Sequence, residues 1–315
     1  LLPDATLFSN NQSKDSFAFF AFNILFKRLF MRFRLALTAA SLVATMSVAT
    51  SFAQGTDSPK LGDEKYKPSV GQSGKDVIWV PTNDALADSM LKMANVKPGD
   101  LVYDLGSGDG KIAIAAAKNF GATSVGIEFN KDMADLATRN AARAGVADKV
   151  KIINGDIFVE DFSKANVLTM YLLPDLNLKL RPTILKMAPG TRVVTNSFHM
   201  GDWEADALIG NGYTQGYYWV VPGNAAGKWT IKGIEGVKSA SLDITQRYQR
   251  VGGTLSIDGK AQPLLGPSLV GNRLKFSFID QSGQSRIADV NLKGNTFAGN
   301  VLETSTLYEI TGTRN

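Results

Sequence analysis

The chain has 315 residues, 44% of them hydrophobic and 20% charged, with a formal charge of +5; length and composition fit a soluble globular protein of one or two domains. It has no cysteine and a single histidine, His199, which excludes disulfides, cysteine nucleophiles and histidine- or thiolate-based metal centres, so no metal is expected. A net +3 falls on residues 1–53 (Lys14, Lys27, Arg28, Arg32 and Arg34 against Asp4 and Asp15), leaving about +2 for the rest, too little to argue for a nucleic-acid partner.

Met31-Arg32-Phe33-Arg34, the apolar run 35–43 and the small residues of Ser51-Phe52-Ala53 read as a secretory signal peptide over 31–53, cleaved near Ala53. The uncharged stretch 35–53 also has the length of a membrane anchor, but it is rich in Ala, Ser and Thr and no basic stop-transfer cluster follows. The expectation is a periplasmic or secreted protein, touching a membrane only where the leader stays uncleaved. Residues 1–30 are expected to be an upstream segment outside the natural protein, which would start at Met31. Residues 54–75, polar with Gly and Pro, are expected to be a flexible leader.

From 76 to 224 short β-branched runs alternate with amphipathic stretches. The spacing predicts helices over 84–94, 111–119, 131–144 and 176–187, and strands over 101–104, 124–127, 150–154, 167–172 and 192–196. Repeated βα units of this kind form a parallel sheet with helices on both faces. Tyr213, Tyr217, Tyr218 and Trp219 follow at strand spacing. From Lys228 onward no helical period remains. Gly252-Gly253, Asp258-Gly259, Gly271-Asn272, Ser282-Gly283 and Gly294-Asn295 punctuate alternating runs, with Asp258-Gly259 the strongest hairpin signal. The expectation is an α/β domain over 76–224 and an all-β antiparallel meander over 225–315, a small barrel or a sandwich.

Between the first strand and its helix stands Asp104-Leu105-Gly106-Ser107-Gly108-Asp109-Gly110. Alternate glycines let the backbone approach a ligand, and the following helix points its positive end there. The spacing is G-x-G-x-G rather than the G-x-G-x-x-G of dinucleotide folds, and no G-K-[ST] marks a P-loop. Asp104 suits the ammonium of an amino-acid ligand better than a pyrophosphate. Glu128 closes the second strand, 18 positions after Gly110, where a carboxylate can accept from both ribose hydroxyls. Gly155-Asp156-Ile157 closes the third, offering an acceptor for an adenine amino group and an apolar neighbour for its ring.

D-L-G-S-G-D-G, G-I-E and N-G-D-I on successive strands resemble the class I S-adenosylmethionine (SAM)-dependent methyltransferases over roughly 76–221, with their Rossmann-like sheet. The resemblance implies SAM as cofactor, its methionine part held by Asp104, Gly106, Gly108 and Gly110, its ribose by Glu128 and its adenine by Asp156 and Ile157. Ser107 in the turn and Phe129 beside Glu128 join the expected set. An NAD enzyme and an unliganded relic of the fold are the competing readings. Within the superfamily, Val80-Pro81-Thr82, Tyr171-Leu172-Leu173-Pro174 and Gly190-Thr191-Arg192-Val193-Val194 resemble a small non-SET protein-lysine methyltransferase family with mitochondrial members acting on membrane proteins. Phe198-His199-Met200-Gly201-Asp202-Trp203 departs from that family's F-P-x-x-W-like segment, which leaves the acceptor open.

Methyl transfer from a sulfonium needs a desolvated, neutral and aligned nucleophile. A lysine amine, with a reference pKa of about 10.4, needs an apolar or aromatic channel to hold it neutral. Tyr171 stands at the acceptor-facing position, and reads alternatively as a buried strand tyrosine. Trp79, Pro81 and Thr82 form either a lid or packing for the first helix. His199 is a candidate general base for an oxygen acceptor, or a structural histidine. Gly227-Lys228-Trp229 resembles the G-x-W of lipocalin-like meanders and is read as a core tryptophan. The leading function is methyl transfer to a protein lysine; the alternatives are a SAM- or nucleoside-binding protein without turnover and a small-molecule O- or N-methyltransferase. Export would carry the site away from the compartment where SAM is made. N-terminal sequencing of the native protein is expected to begin at Gln54, and a peptide from residues 1–30 would overturn the assignment of the start.

Overall fold

The computed structural model describes residues 61–210 and 215–315. The expected upstream segment, the signal peptide, residues 54–60 and Tyr213 lie outside them. α1 (Asp84–Met93) starts where the Asn83 side chain accepts from the Ala85 N–H at 2.9 Å. After β1 (Leu101–Leu105), α2 (Lys111–Phe120) ends at Gly121, whose left-handed φ of 71° turns its N–H back onto the Ala116 and Ala117 carbonyls. β2 (Thr123–Glu128) leads to α3 (Lys131–Arg143), capped by Asn130 on the Met133 N–H at 3.1 Å. β3 (Val150–Asn154), β4 (Val167–Met170), α4 (Pro174–Ile184) and β5 (Arg192–Asn196) complete the parallel part. α4 starts two residues before its expected position because Pro174, at the first helical position, needs no donor and has its φ preset.

Two further strands, β6 (Ala207–Gly210) and β7 (Gln215–Val220), extend the sheet to the order β3-β2-β1-β4-β5-β7-β6. β7 runs antiparallel to β5 and β6 antiparallel to β7. Successive residues bury to opposite faces: Val167 and Val194 join the cluster under α1 and α2, while Leu168 and Val193 join the one under α4. That two-sided burial is why these strands read as continuous apolar runs. β1 pairs with β2 on one side and β4 on the other, so the strand order reverses there and leaves a crevice at the carboxyl ends.

Residues 61–75, expected within a flexible leader, are instead tied to the domain. Asp63 accepts from Arg139 at 2.6 and 3.0 Å and from Arg143 at 2.9 Å. Arg139 first, with Arg143, holds its carboxyl well below the usual range. A segment without periodicity is ordered here by charge rather than by an apolar face.

β8 (Gly227–Lys232), β9 (Ala240–Arg247), β10 (Arg250–Ile257), β11 (Lys260–Pro263), β12 (Leu265–Val270), β13 (Arg273–Ile279), β14 (Ser285–Lys293), β15 (Thr296–Glu303) and β16 (Thr306–Arg314) form a second, antiparallel sheet. Its order is β11-β10-β9-β8-β16-β15-β14-β13-β12. β16 pairs with β8, and the two outermost strands adjoin through Leu264. The Gln262 side chain exchanges two hydrogen bonds with the Ile279 backbone across the remaining gap. This is a nearly closed barrel, which decides between the two expected β architectures. Trp229, Phe276, Phe278, Phe297 and their aliphatic neighbours fill its interior.

Four of the expected turns join the strands, including Asp258-Gly259 with φ of 46° and 80° between β10 and β11. The fifth does not: Gly252-Gly253 lies inside β10, and the reversal occurs at Tyr248-Gln249, where Tyr248 takes φ 54°. Glycine is required at 253 because a Cβ there would stand 2.2 Å from the Asp243 carbonyl. Trp229 is a core tryptophan, its indole N–H on the Ala225 carbonyl at 2.9 Å and the Arg314 guanidinium 4.5 Å above its ring. A Cβ at Gly312 would lie 2.1 Å from the Phe297 ring. Gly312→Ala is expected to cost about 1–3 kcal/mol by overpacking, read as a lower denaturation midpoint; an unchanged midpoint would show that Phe297 turns aside freely.

Candidate active site

The glycine turn closes the crevice at the end of β1. Gly106 and Gly108 have φ of 74° and 55°. A Cβ at Gly106 would meet Leu172 at 2.9 Å, and one at Gly108 would meet the Trp79 indole nitrogen at 2.6 Å. Ser107 is buried, and its Oγ has no hydrogen-bond partner. Gly126 on β2 makes room for it: a Cβ there would lie 2.6 Å from that oxygen.

Glu128 ties this turn to the next one. Its Oε2 accepts from the Gly108 N–H and its Oε1 from the Asn130 N–H, both at 2.9 Å. Asp104, 3% exposed, accepts from the Thr169 hydroxyl at 2.7 Å. Burial pushes its carboxyl up to about 7, and the nearby Asp109 and Glu128 add to the rise. Burial also raises Asp109 and Glu128. Carboxylates that resist ionisation together invite a cationic ligand group among them.

At the far end of the crevice, Asp156 accepts from the Phe158 N–H at 2.9 Å and from Lys75 at 2.6 Å. The Lys75 ammonium stands 4.9 Å from the centroid of the Phe129 ring. On the other side Trp79, Pro81, Tyr171, Leu172 and Leu176 line the same cleft. Tyr171 stacks on Phe198 with ring centroids 6.4 Å apart. The Phe198 carbonyl accepts from Asn177 on α4 and Thr195 on β5, which fixes the loop after β5. Thr82 is buried and accepts from the Asn196 amide at 3.3 Å. Trp79 therefore lies on the glycine turn rather than on α1, while Thr82 docks on the end of β5.

Most of the expected residues meet in this one cleft: Asp104, Gly106, Ser107, Gly108, Glu128, Phe129, Asp156, Ile157 and Tyr171 all line it. Gly110 does not. It caps α2 with φ 82°, and a Cβ there would lie 3.0 Å from the Ala137 Cβ, so its use is the close packing of α2 on α3. His199 does not either. It is exposed, its Nδ1 accepts from the Gly201 N–H at 2.9 Å, and its ring meets the Tyr217 ring edge-on at 6.2 Å. The structure thus places His199 on the exposed loop after β5, outside the lining of the cleft. Lys75, Asp109 and Met133 line the cleft without having been expected there. Asp109, a carboxylate within the glycine turn, carried a readable signal; Lys75, in a stretch without period, carried none.

Residues 104–207 match the family described as the ANTKMT methyltransferase domain. A protein-lysine N-methyltransferase of Saccharolobus islandicus is 41% identical over 135 residues, 42% of this chain and 84% of that protein. This chain belongs to the non-SET protein-lysine methyltransferase family of class I SAM-dependent enzymes. The mouse adenine nucleotide translocase lysine N-methyltransferase is 30% identical over 146 residues, 46% of this chain, and the chain spans 59% of that protein's length. A solved structure of an RNA methyltransferase from Salinibacter ruber with S-adenosyl-L-homocysteine is 46% identical, at a TM-score of 0.45, covering 46% of this chain and 95% of that one.

The cleft of this methyltransferase fits SAM by its own chemistry. The buried, unpartnered Ser107 hydroxyl, the glycines whose Cβ atoms would block the turn and the carboxylates at 104 and 128 suit a ligand with an ammonium, a sulfonium and a ribose. The NAD reading falls away with the family. Asp104 also sets a pH dependence. Its folded pKa is raised above the unfolded value, so the folded state holds the extra proton between about pH 4 and 7, and its contribution to stability falls as pH rises through that window. Above pH 7 the buried carboxylate is a cost. Asp104→Asn, which keeps the Thr169 hydrogen bond, is expected to come nearest the parent in thermal melts at about pH 4, the acid end of that window, and to gain on it steadily as pH rises. At pH 8 it should exceed it by on the order of a few kcal/mol, while losing S-adenosylhomocysteine affinity in calorimetry.

Proposed function

We propose that this enzyme methylates lysine amines of protein substrates by direct in-line displacement. The observation that carries the reading is the wall of the cleft opposite the carboxylates, where Tyr171, braced by Phe198, stands with Trp79, Pro81, Leu172 and Leu176. The bound cofactor supplies a methyl group on a positively charged sulfur. Everything else falls to the chain. Asp104 and Glu128 hold negative charge at the cofactor end of the cleft. The aromatic and apolar wall excludes water from the acceptor end, which disfavours an ammonium and lowers the cost of presenting a neutral amine. The lysine-modifying relatives support the same acceptor. No side chain is needed as a strong base, since a neutral amine entering the channel has already left its proton in solvent.

We infer further that the protein works outside the cytoplasm, on the strength of the leader at 31–53, with SAM reaching it there. The acceptor is tested by incubating the purified protein with radiolabelled SAM and, in separate reactions, a protein extract, RNA and small amines. Label on lysine side chains, located by mass spectrometry, is the expected result; label on RNA or small amines alone would overturn the reading. Tyr171→Ala is expected to lower lysine methylation at least tenfold, while S-adenosylhomocysteine affinity stays within about twofold, because its ring serves the acceptor end.

A further inference from the structure

The cleft's adenine end is occupied by a piece of the chain itself. Residues 72–79 form a small hairpin: the Trp79 N–H donates to the Gln72 carbonyl at 2.9 Å, Gly74 donates to Val77 at 2.8 Å, and Ser73 bridges Ile78. Its outgoing arm sets the Trp79 indole on Gly108. Its tip carries Lys75 to Asp156, 2.6 Å away, with Asp76 also 3.8 Å from the ammonium, and over the face of Phe129. Asp156 and Phe129 are the groups that the cofactor's adenine would use, the first as acceptor for its amino group and the second as its neighbour.

We propose that Lys75 sets the affinity for the cofactor by competing with the adenine amino group for Asp156. The inference rests on SAM being the ligand of this cleft. The ammonium takes the donor's place on the carboxylate, and adenine entry exchanges an ion pair for a hydrogen bond from a neutral amine. Both partners are partly open to water, with side-chain exposures of 37% and 23%, so the pair is modest and screened by salt. Its reach is also local. Within the hairpin it is Trp79, not Lys75, that meets the glycine turn, and Asp104 and Glu128 stand at the ends of β1 and β2, where the methionine and ribose parts would lie. Lys75 therefore tunes the strength of binding without contacting the reacting atoms.

The test is calorimetric titration of the whole protein with S-adenosylhomocysteine and, separately, with adenosine. Lys75→Met, which keeps the length of the side chain, is expected to bind S-adenosylhomocysteine about three- to tenfold more tightly than the parent, and Lys75→Arg no more tightly than the parent. The parent's affinity should rise as salt is increased from about 20 to 500 mM, whereas that of Lys75→Met stays level, because only the parent has an ion pair to screen. Adenosine should show the same ratio between the two, since competition is at the base. Equal or weaker binding by Lys75→Met, or the same salt response in both, would overturn the proposal and make Lys75 a bystander or a clamp. Failure of every form, parent included, to bind S-adenosylhomocysteine would overturn the cofactor assignment instead, which is a separate result.

Discussion

One carboxylate holds the two βα turns of the site together. Gly108 and Asn130 head different helices, and both donate their N–H groups to Glu128. Without it two backbone donors at a half-buried position would lose their acceptor, each at a cost of about 1–3 kcal/mol. The side chain expected to meet the ribose is thus also the strut that gives the glycine turn its shape. The positive φ at Gly106 and Gly108, the seat of Ser107 against Gly126 and the resting place of Trp79 all depend on where that turn is held. Any affinity lost in Glu128 variants would therefore include the cost of a loosened turn.

The same economy governs charge. Asp104, Asp109 and Glu128 are all buried enough for their carboxyls to be raised. An apolar residue at 104 would have no charge to desolvate, though the buried Thr169 hydroxyl would lose this acceptor. The domain instead keeps acids that oppose one another, compensated in part by hydrogen bonds and, at Asp109, by Lys111, and open to further compensation by a cationic guest. This is local instability retained for recognition, and the well-packed faces under Val167, Leu168, Val193 and Val194 supply the rigidity that tolerates it.

Much of this could be read in advance because the parallel strands are buried on both faces and separated by capped helices, with Asn83, Asn130 and Gly121 at their boundaries; the start at Pro174 is the exception, which the apolar period alone places two residues late. The carboxylates at strand ends were legible for the same reason: topology puts them at the crevice. What escaped depended on neighbours distant in sequence. β6 is a short outer strand whose Leu208 is 57% exposed, leaving little pattern to detect. Gly252-Gly253 looks like a turn by composition, yet its place is dictated by the Asp243 carbonyl one strand away. His199 follows a strand end as a base might, but Ser197 at φ 64° swings the chain so that Phe198, not His199, faces Tyr171. The ordering of 61–75 hangs on Asp63 meeting arginines 76 and 80 residues away, and no local signal encodes that.

The pairing of β8 with β16 has a consequence for the order of events in biosynthesis. Trp229 and Arg314 are joined in register across that seam, the first and last strands of the barrel. A chain emerging from a ribosome can assemble the β3-to-β6 sheet while the barrel is still being made, but the barrel has no closing partner until residue 314 is available. Until then β8 exposes a free edge and its buried tryptophan lacks the guanidinium above it. Loop closure over that span is slow relative to the local hairpins between neighbouring strands. β16 therefore acts as a clasp whose arrival ends the vulnerable period, and loss of residues 311–314 would leave an open, edge-exposing sheet rather than a slightly shorter barrel.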